Sequence, residues 1–132
     1  MQLAILYAAS LIVFLALDAI MLRSVISPLF REHLGDWVLD SPRFGPAVVF
    51  YAFYVAGLTA LVSWPALKDG APTQALLWGA LVGAMAYGTY EFTNLATLTK
   101  WQWSMVATDL AWGTVLTGVT AWAGVTIARW VA

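Results

Sequence analysis

Four long apolar runs, Leu3 to Leu22, Ala47 to Leu67, Gln74 to Leu98 and Gln102 to Ala128, leave this chain few ways to fold. A helix rising about 1.5 Å per residue needs roughly 20 apolar residues to cross some 30 Å of hydrocarbon, and each run supplies them. In lipid every backbone N–H and C=O has to be satisfied within the segment, so such runs are read as helices. The expected fold is all-α: a single integral membrane domain over residues 1–132, a bundle of four transmembrane helices at about 3–24, 46–67, 74–98 and 102–129. A short interfacial helix is expected between the first two.

Composition agrees and removes several function classes. The chain is 62% hydrophobic and 10% charged, with a mean hydropathy of +0.82, whereas soluble domains carry roughly 25% charged residues. A net charge of −1 without a basic cluster points away from nucleic acid and from electrostatic recruitment by anionic lipid. Cysteine is absent, which removes disulfides, thiol catalysis and iron–sulfur ligation. No cofactor is implied. The first run lacks a basic n-region and is followed by Arg23 instead of a small-residue cleavage site, so it is expected to be a retained helix.

The joints are short except for Ser24 to Pro46. There SPLFREHLGDW reads as the interfacial helix, with Ser27 as N-cap, Pro28 in the first turn and Leu29, Phe30, His33, Leu34 and Trp37 along one side. Pro42, Gly45 and Pro46 then break the helix. His33, the only histidine, has no partners for a metal site and is expected at the surface. The second span ends near Trp64 and Pro65, and Lys68, Asp69, Gly70 and Pro72 form a tight turn. Trp64, Trp78 and Trp130 mark one membrane surface, and Trp37, Trp101 and Trp103 the other. Arg23, Arg31, Arg43 and Lys100 on one side outnumber Lys68 and Arg129, so both termini are expected outside, periplasmic if the membrane is a bacterial inner membrane.

Against this apolar background three acids stand out. Asp18, Glu91 and Asp109 lie 5 residues before Arg23, 9 before Lys100 and 9 after Lys100. At about 1.5 Å per residue they form one layer, roughly 7 to 14 Å below that surface. An ionisable group at mid-bilayer costs about 2.5–3.5 kcal/mol on the insertion scale, so by default it marks a functional site. Tyr51 and Tyr54 reach the same depth from the second span. Tyr87, Glu91 and Asn94 share a helix face at i, i+4 and i+7, as do Asp109, Trp112 and Gly113. Gly113 would let a backbone or ligand approach, and Trp112 is expected as a flat wall or a ring on which a cation stacks. Arg23 is the one resident cation expected to lean toward Asp18, so at least one acid should be protonated or neutralised by a bound proton, cation or amphiphile head. As plain packing, the acids would instead bond to Tyr, Thr and Asn across helices. The Gly79 and Gly83 pair is a small-residue packing face that also offers a dimer surface.

With LALDAIML, YEFTNLATL and TDLAWGTVL, nearly the whole chain resembles the small four-helix bacterial membrane proteins grouped as domain of unknown function 2177. The resemblance implies the fold and no activity. In the family pattern the acid at position 91 is usually aspartate and position 21 is often tryptophan. Glu91 keeps the acid with a longer reach, and Met21 supplies no aromatic wall. Relatives encoded beside fatty-acyl-modifying enzymes bring lipid chemistry among the readings.

Three functions follow. The first is an intramembrane carboxylate site, Asp18, Glu91 and Asp109 with Asn94, that binds a proton, a small cation or an amphiphile head in a transporter-like or binding role. The second is an enzyme of fatty-acyl or isoprenoid modification, with a carboxylic acid as general acid. No nucleophile motif, His-rich iron box or phosphate loop is present, so acid-catalysed isomerisation or hydration remains. The third is an accessory subunit packed, as a homodimer or against a partner membrane protein, through small-residue faces.

Overall fold

The computed structural model describes residues 1–39 and 43–131, so Pro42 lies outside the described residues. Helix α1 covers Gln2–Met21 and runs without interruption through a π-helical turn at Leu22–Ile26 into α2, Ser27–Leu34, and a 3₁₀ turn at Gly35–Trp37. Helix α3, Phe44–Leu58, continues the same way through a π turn at Thr59–Ser63 into α4, Trp64–Lys68. Helices α5, Pro72–Thr97, and α6, Trp103–Val131, pair as a hairpin. Among the described residues there is no strand.

Three stretches are long and apolar enough to cross a membrane: Gln2–Trp37, Phe44–Lys68 and Trp103–Val131. At 26 residues α5 is long enough, but its polar content keeps it out of that set. The short helix expected after Arg23 exists as α2, but it is not a separate, capped element. Ser27 has φ −62° and ψ −46°, inside the rod and not at an N-cap.

The reason lies in the prolines. Each π turn ends two residues before one, at Pro28 and at Pro65. A proline inside a helix lacks its N–H and presses its ring on the carbonyl four residues back, here Ser24 and Leu61. Widening the preceding turn to i→i+5 bonding relieves that clash and keeps the rod whole.

The core is stacked in three tiers. Leu6, Leu58, Val62, Ala66, Ala121 and Val125 fill one end, Phe14, Val55 and Leu116 the middle, and Leu34, Trp101, Met105 and Val106 the other end. Thus α2 closes over the α5–α6 turn. At the opposite end Gly70, at φ +65°, takes the left-handed conformation, and Ala71 N–H reaches back to Ala66 O at 2.9 Å.

Small residues let α5 and α6 meet at backbone distance. A Cβ on Gly79 would lie 3.0 Å from Ala121 Cβ and from Thr117 O, and one on Gly83 would strike the Gly113 carbonyl. The face expected to offer a dimer surface therefore lies inside the chain. Glu91 and Asp109 come together across the same seam.

Candidate functional site

One row of residues builds the wall of the site on the first rod. Phe14, Asp18, Leu22, Ile26 and Phe30, each four apart, all line a cleft of about 400 Å³. In a regular α-helix such a row winds around the rod by about 40° per step. The π turn at Leu22–Ile26, being wider, takes up that drift and keeps Ile26 and Phe30 on the side of Asp18. Phe50, Tyr51 and Tyr54 face it from α3, Ala86, Tyr87 and Tyr90 from α5, and Asp109 from α6.

The cleft opens sideways. Helix α3 packs on α1 but has no extended contact with α5. Phe50 and Tyr90, at 57% and 51% exposure, flank the gap.

The carboxyls lie at the closed side, Asp18 4% exposed and Asp109 7%. Trp112 Nε1 donates to Asp18 Oδ1 at 3.2 Å, and Asp18 Oδ2 is buried without a hydrogen-bond partner. Tyr51 interacts with both Asp18 and Asp109, and Tyr87 with both acids as well as Tyr51 and Tyr54. Four helices thus bring two carboxyls and four phenols to one cleft. The Tyr54 hydroxyl is tied to Thr117 Oγ1 at 3.0 Å. The ring of Tyr87 rests on Gly113, where a Cβ would overlap it, so Gly113 admits a resident side chain in place of a ligand.

Glu91 is fully buried behind this point and does not line the cleft. Its Oε1 accepts from Trp101 Nε1 at 2.8 Å, its Oε2 has no partner, and it is electrostatically linked to Asp109. Trp101 is itself capped by Phe30 and Tyr90, with ring centroids 5.2 and 5.7 Å away. Asn94 is half-buried and outside the lining.

Several expectations need correcting. Arg23 is exposed and forms no ion pair with Asp18. Five residues along a helix is a rotation of about 140° from alignment, which turns the two side chains apart. Trp112 lies behind Asp18 as its donor instead of walling the cleft. Trp37, Trp78, Trp103 and Trp130 are exposed, whereas Trp101 folds inward onto Glu91. His33 is half-buried, its Nε2 3.3 Å from Ser104 Oγ.

Sequence reasoning passed over Phe14, Phe30, Phe50 and Tyr90. A signal existed for two of them: Phe14 is one turn before Asp18, and Tyr90 is three residues after Tyr87.

Among known proteins, a family model described as a predicted membrane protein, DUF2177, matches residues 3–126. No curated protein and no solved structure matches the chain.

Proposed function

The chain belongs to the DUF2177 family of predicted membrane proteins, and on that premise we propose that it is a four-span inner-membrane protein whose cleft holds the polar head of a single-chain amphiphile between Asp18 and Asp109. The fourth span is supported by the hairpin. Helix α6 is a candidate span, and α5 lies against it from the Gly79–Ala121 contact to the Glu91–Asp109 pair, so α5 crosses wherever α6 does. The excess of Arg23, Arg31, Arg43 and Lys100 on the long-loop side supports that side being cytoplasmic and both termini periplasmic.

One observation carries the reading: two buried carboxyls close a cleft whose mouth, past Phe50 and Ala86, is apolar and lateral. An amphiphile enters from the bilayer past Phe50 and Ala86 and delivers its head to the acids.

Photolabelling tests this. A single-chain amphiphile with a diazirine on its tail should label peptides containing Leu22, Ile26 or Phe50 in reconstituted protein, and Ala86→Trp, which plugs the mouth, should abolish the labelling. Labelling confined to outward residues such as Phe53 and Leu77, unchanged by Ala86→Trp, would mean ordinary annular lipid.

A second reading, acid catalysis on the bound lipid, draws on Glu91. A fully buried carboxyl linked to Asp109 is placed to resupply a proton to the cleft. Turnover of a bound lipid that is lost in Glu91→Gln while photolabelling persists would establish it.

A further inference from the structure

The chemistry of the cleft selects among head groups. No Lys, Arg or His is among its lining residues, so nothing there repays the burial of an anion, and two carboxyls oppose it. Among the described residues no group of three or more His, Cys, Asp and Glu is placed to hold a metal ion. Aromatic rings dominate instead. Phe14 stands edge-on to Tyr51, with centroids 5.2 Å apart and planes at 63°, and tilted to Tyr54, at 5.7 Å and 57°. Phe14 is fully buried behind Tyr51 and Tyr54 and sets the angle between them, and Tyr87 lines the cleft from α5.

We propose that the cleft is an aromatic cage for an alkylammonium head, with Asp18 and Asp109 balancing its charge and Tyr51, Tyr54 and Tyr87 supplying the rings. The proposal rests on the reading of the cleft as an amphiphile site and deepens it. Rings around a desolvated ammonium attract it through their quadrupoles, and carboxyls at the rim of such a cage add the opposite charge. Asp18 Oδ2, which has no hydrogen bond of good geometry although Tyr51 stands beside it, adds a further preference: it is an acceptor that an ammonium N–H would satisfy and a hydroxyl-poor tail would not. A protonated amine therefore fits better than a trimethylated one, and both fit better than a neutral or anionic head on the same chain. The groups facing the ammonium are Asp18 from α1, Tyr51 and Tyr54 from α3, Tyr87 and Tyr90 from α5 and Asp109 from α6, with Glu91 behind Asp109.

The test uses four probes of one tail length: dodecylammonium, dodecyltrimethylammonium, dodecyl maltoside and dodecyl sulfate. Each is titrated into the full chain in phosphatidylglycerol nanodiscs. The readout is the NMR signal of the Trp112 indole N–H, which reports on Asp18 directly. Each titration is repeated on Asp18→Asn, which keeps the acceptor for Trp112, so that simple partition into the bilayer cancels. Asp109→Asn serves as the second variant, and Tyr87→Leu removes a ring without touching charge.

The two cations should bind at least about tenfold more tightly than the maltoside, dodecylammonium most tightly, and the sulfate most weakly. Asp18→Asn or Asp109→Asn should erase the preference while the tail still binds, and Tyr87→Leu should weaken the cations alone. Equal binding of all four probes overturns the cage and leaves the amphiphile site standing. Preference for the sulfate overturns the charge argument. If no probe shifts the indole signal while Ala86→Trp behaves as wild type in photolabelling, the amphiphile reading falls with it.

Discussion

The ring of Tyr87 lies directly on the α-carbon of Gly113, with its Cγ, Cδ1 and Cδ2 filling the space a Cβ would take. This contact sets how far the Tyr87 hydroxyl reaches into the cleft, and it ties the α5–α6 seam to the site. Gly113→Ala should therefore destabilise the protein by about 1–3 kcal/mol through overpacking. In the double variant Tyr87→Ala/Gly113→Ala the cost of the alanine at 113 should largely vanish. Gly88→Ala is the control, since its Cβ would meet only Leu110 Cδ1 at 3.5 Å and gains helix propensity. Unfolding of wild type, Tyr87→Ala and these three variants in one detergent measures the differences.

The Trp112–Asp18 bond joins α6 to α1. Trp112→Phe should cost about 0.6 kcal/mol and no more than about 1.7, the average and the maximum measured for hydrogen bonds between membrane helices. In a double-mutant cycle with Asp18→Leu the coupling should be of the same size, because replacing both partners leaves no orphan polar group. A coupling near zero would show that the indole does not hold Asp18.

Glu91 is fully buried and bonded to Trp101. Glu91→Gln keeps an acceptor for the indole and the volume of the side chain, so stability should change by less than about 1 kcal/mol. Glu91→Ala empties the site and strands the Trp101 N–H, and should cost about 2–5 kcal/mol. Chemical denaturation of the two variants separates these outcomes.

Gly83 faces the Gly113 carbonyl and the Thr117 side chain within the chain itself. Gly83→Val should therefore abolish the α5–α6 seam and reduce the folded fraction, while whatever remains folded keeps its wild-type oligomeric state. Light scattering across a concentration series tests this, and a variant that folds normally but loses a dimer would reinstate the dimer surface.

How much of this was legible beforehand follows from what helix geometry transmits. Depth was legible: a fixed rise per residue placed Asp18, Glu91 and Asp109 at one level, and the structure links all three electrostatically. Rotation was not. Helices such as α1 and α3 are apolar nearly all round, so no polar face discloses which side turns inward. That is why Arg23 was assigned to Asp18 at the right height and the wrong angle, and why Phe14 and Phe50 went unnoticed. Trp101 was misplaced for another reason. Tryptophan at the end of a span normally marks the interface, but here a buried carboxyl one element away supplies the indole with an acceptor. The π turns had a readable cue in Pro28 and Pro65, although proline alone does not distinguish a break from a widened turn.

The Trp112–Asp18 pairing also has a consequence for biosynthesis. The two residues are 94 positions apart, and at about 5–20 residues per second the ribosome needs roughly 5 to 19 s to make the second after the first. Throughout that interval the chain carries a carboxyl whose indole donor has not been translated. Until the last helix is made, Asp18 is without the donor that it has in the folded protein.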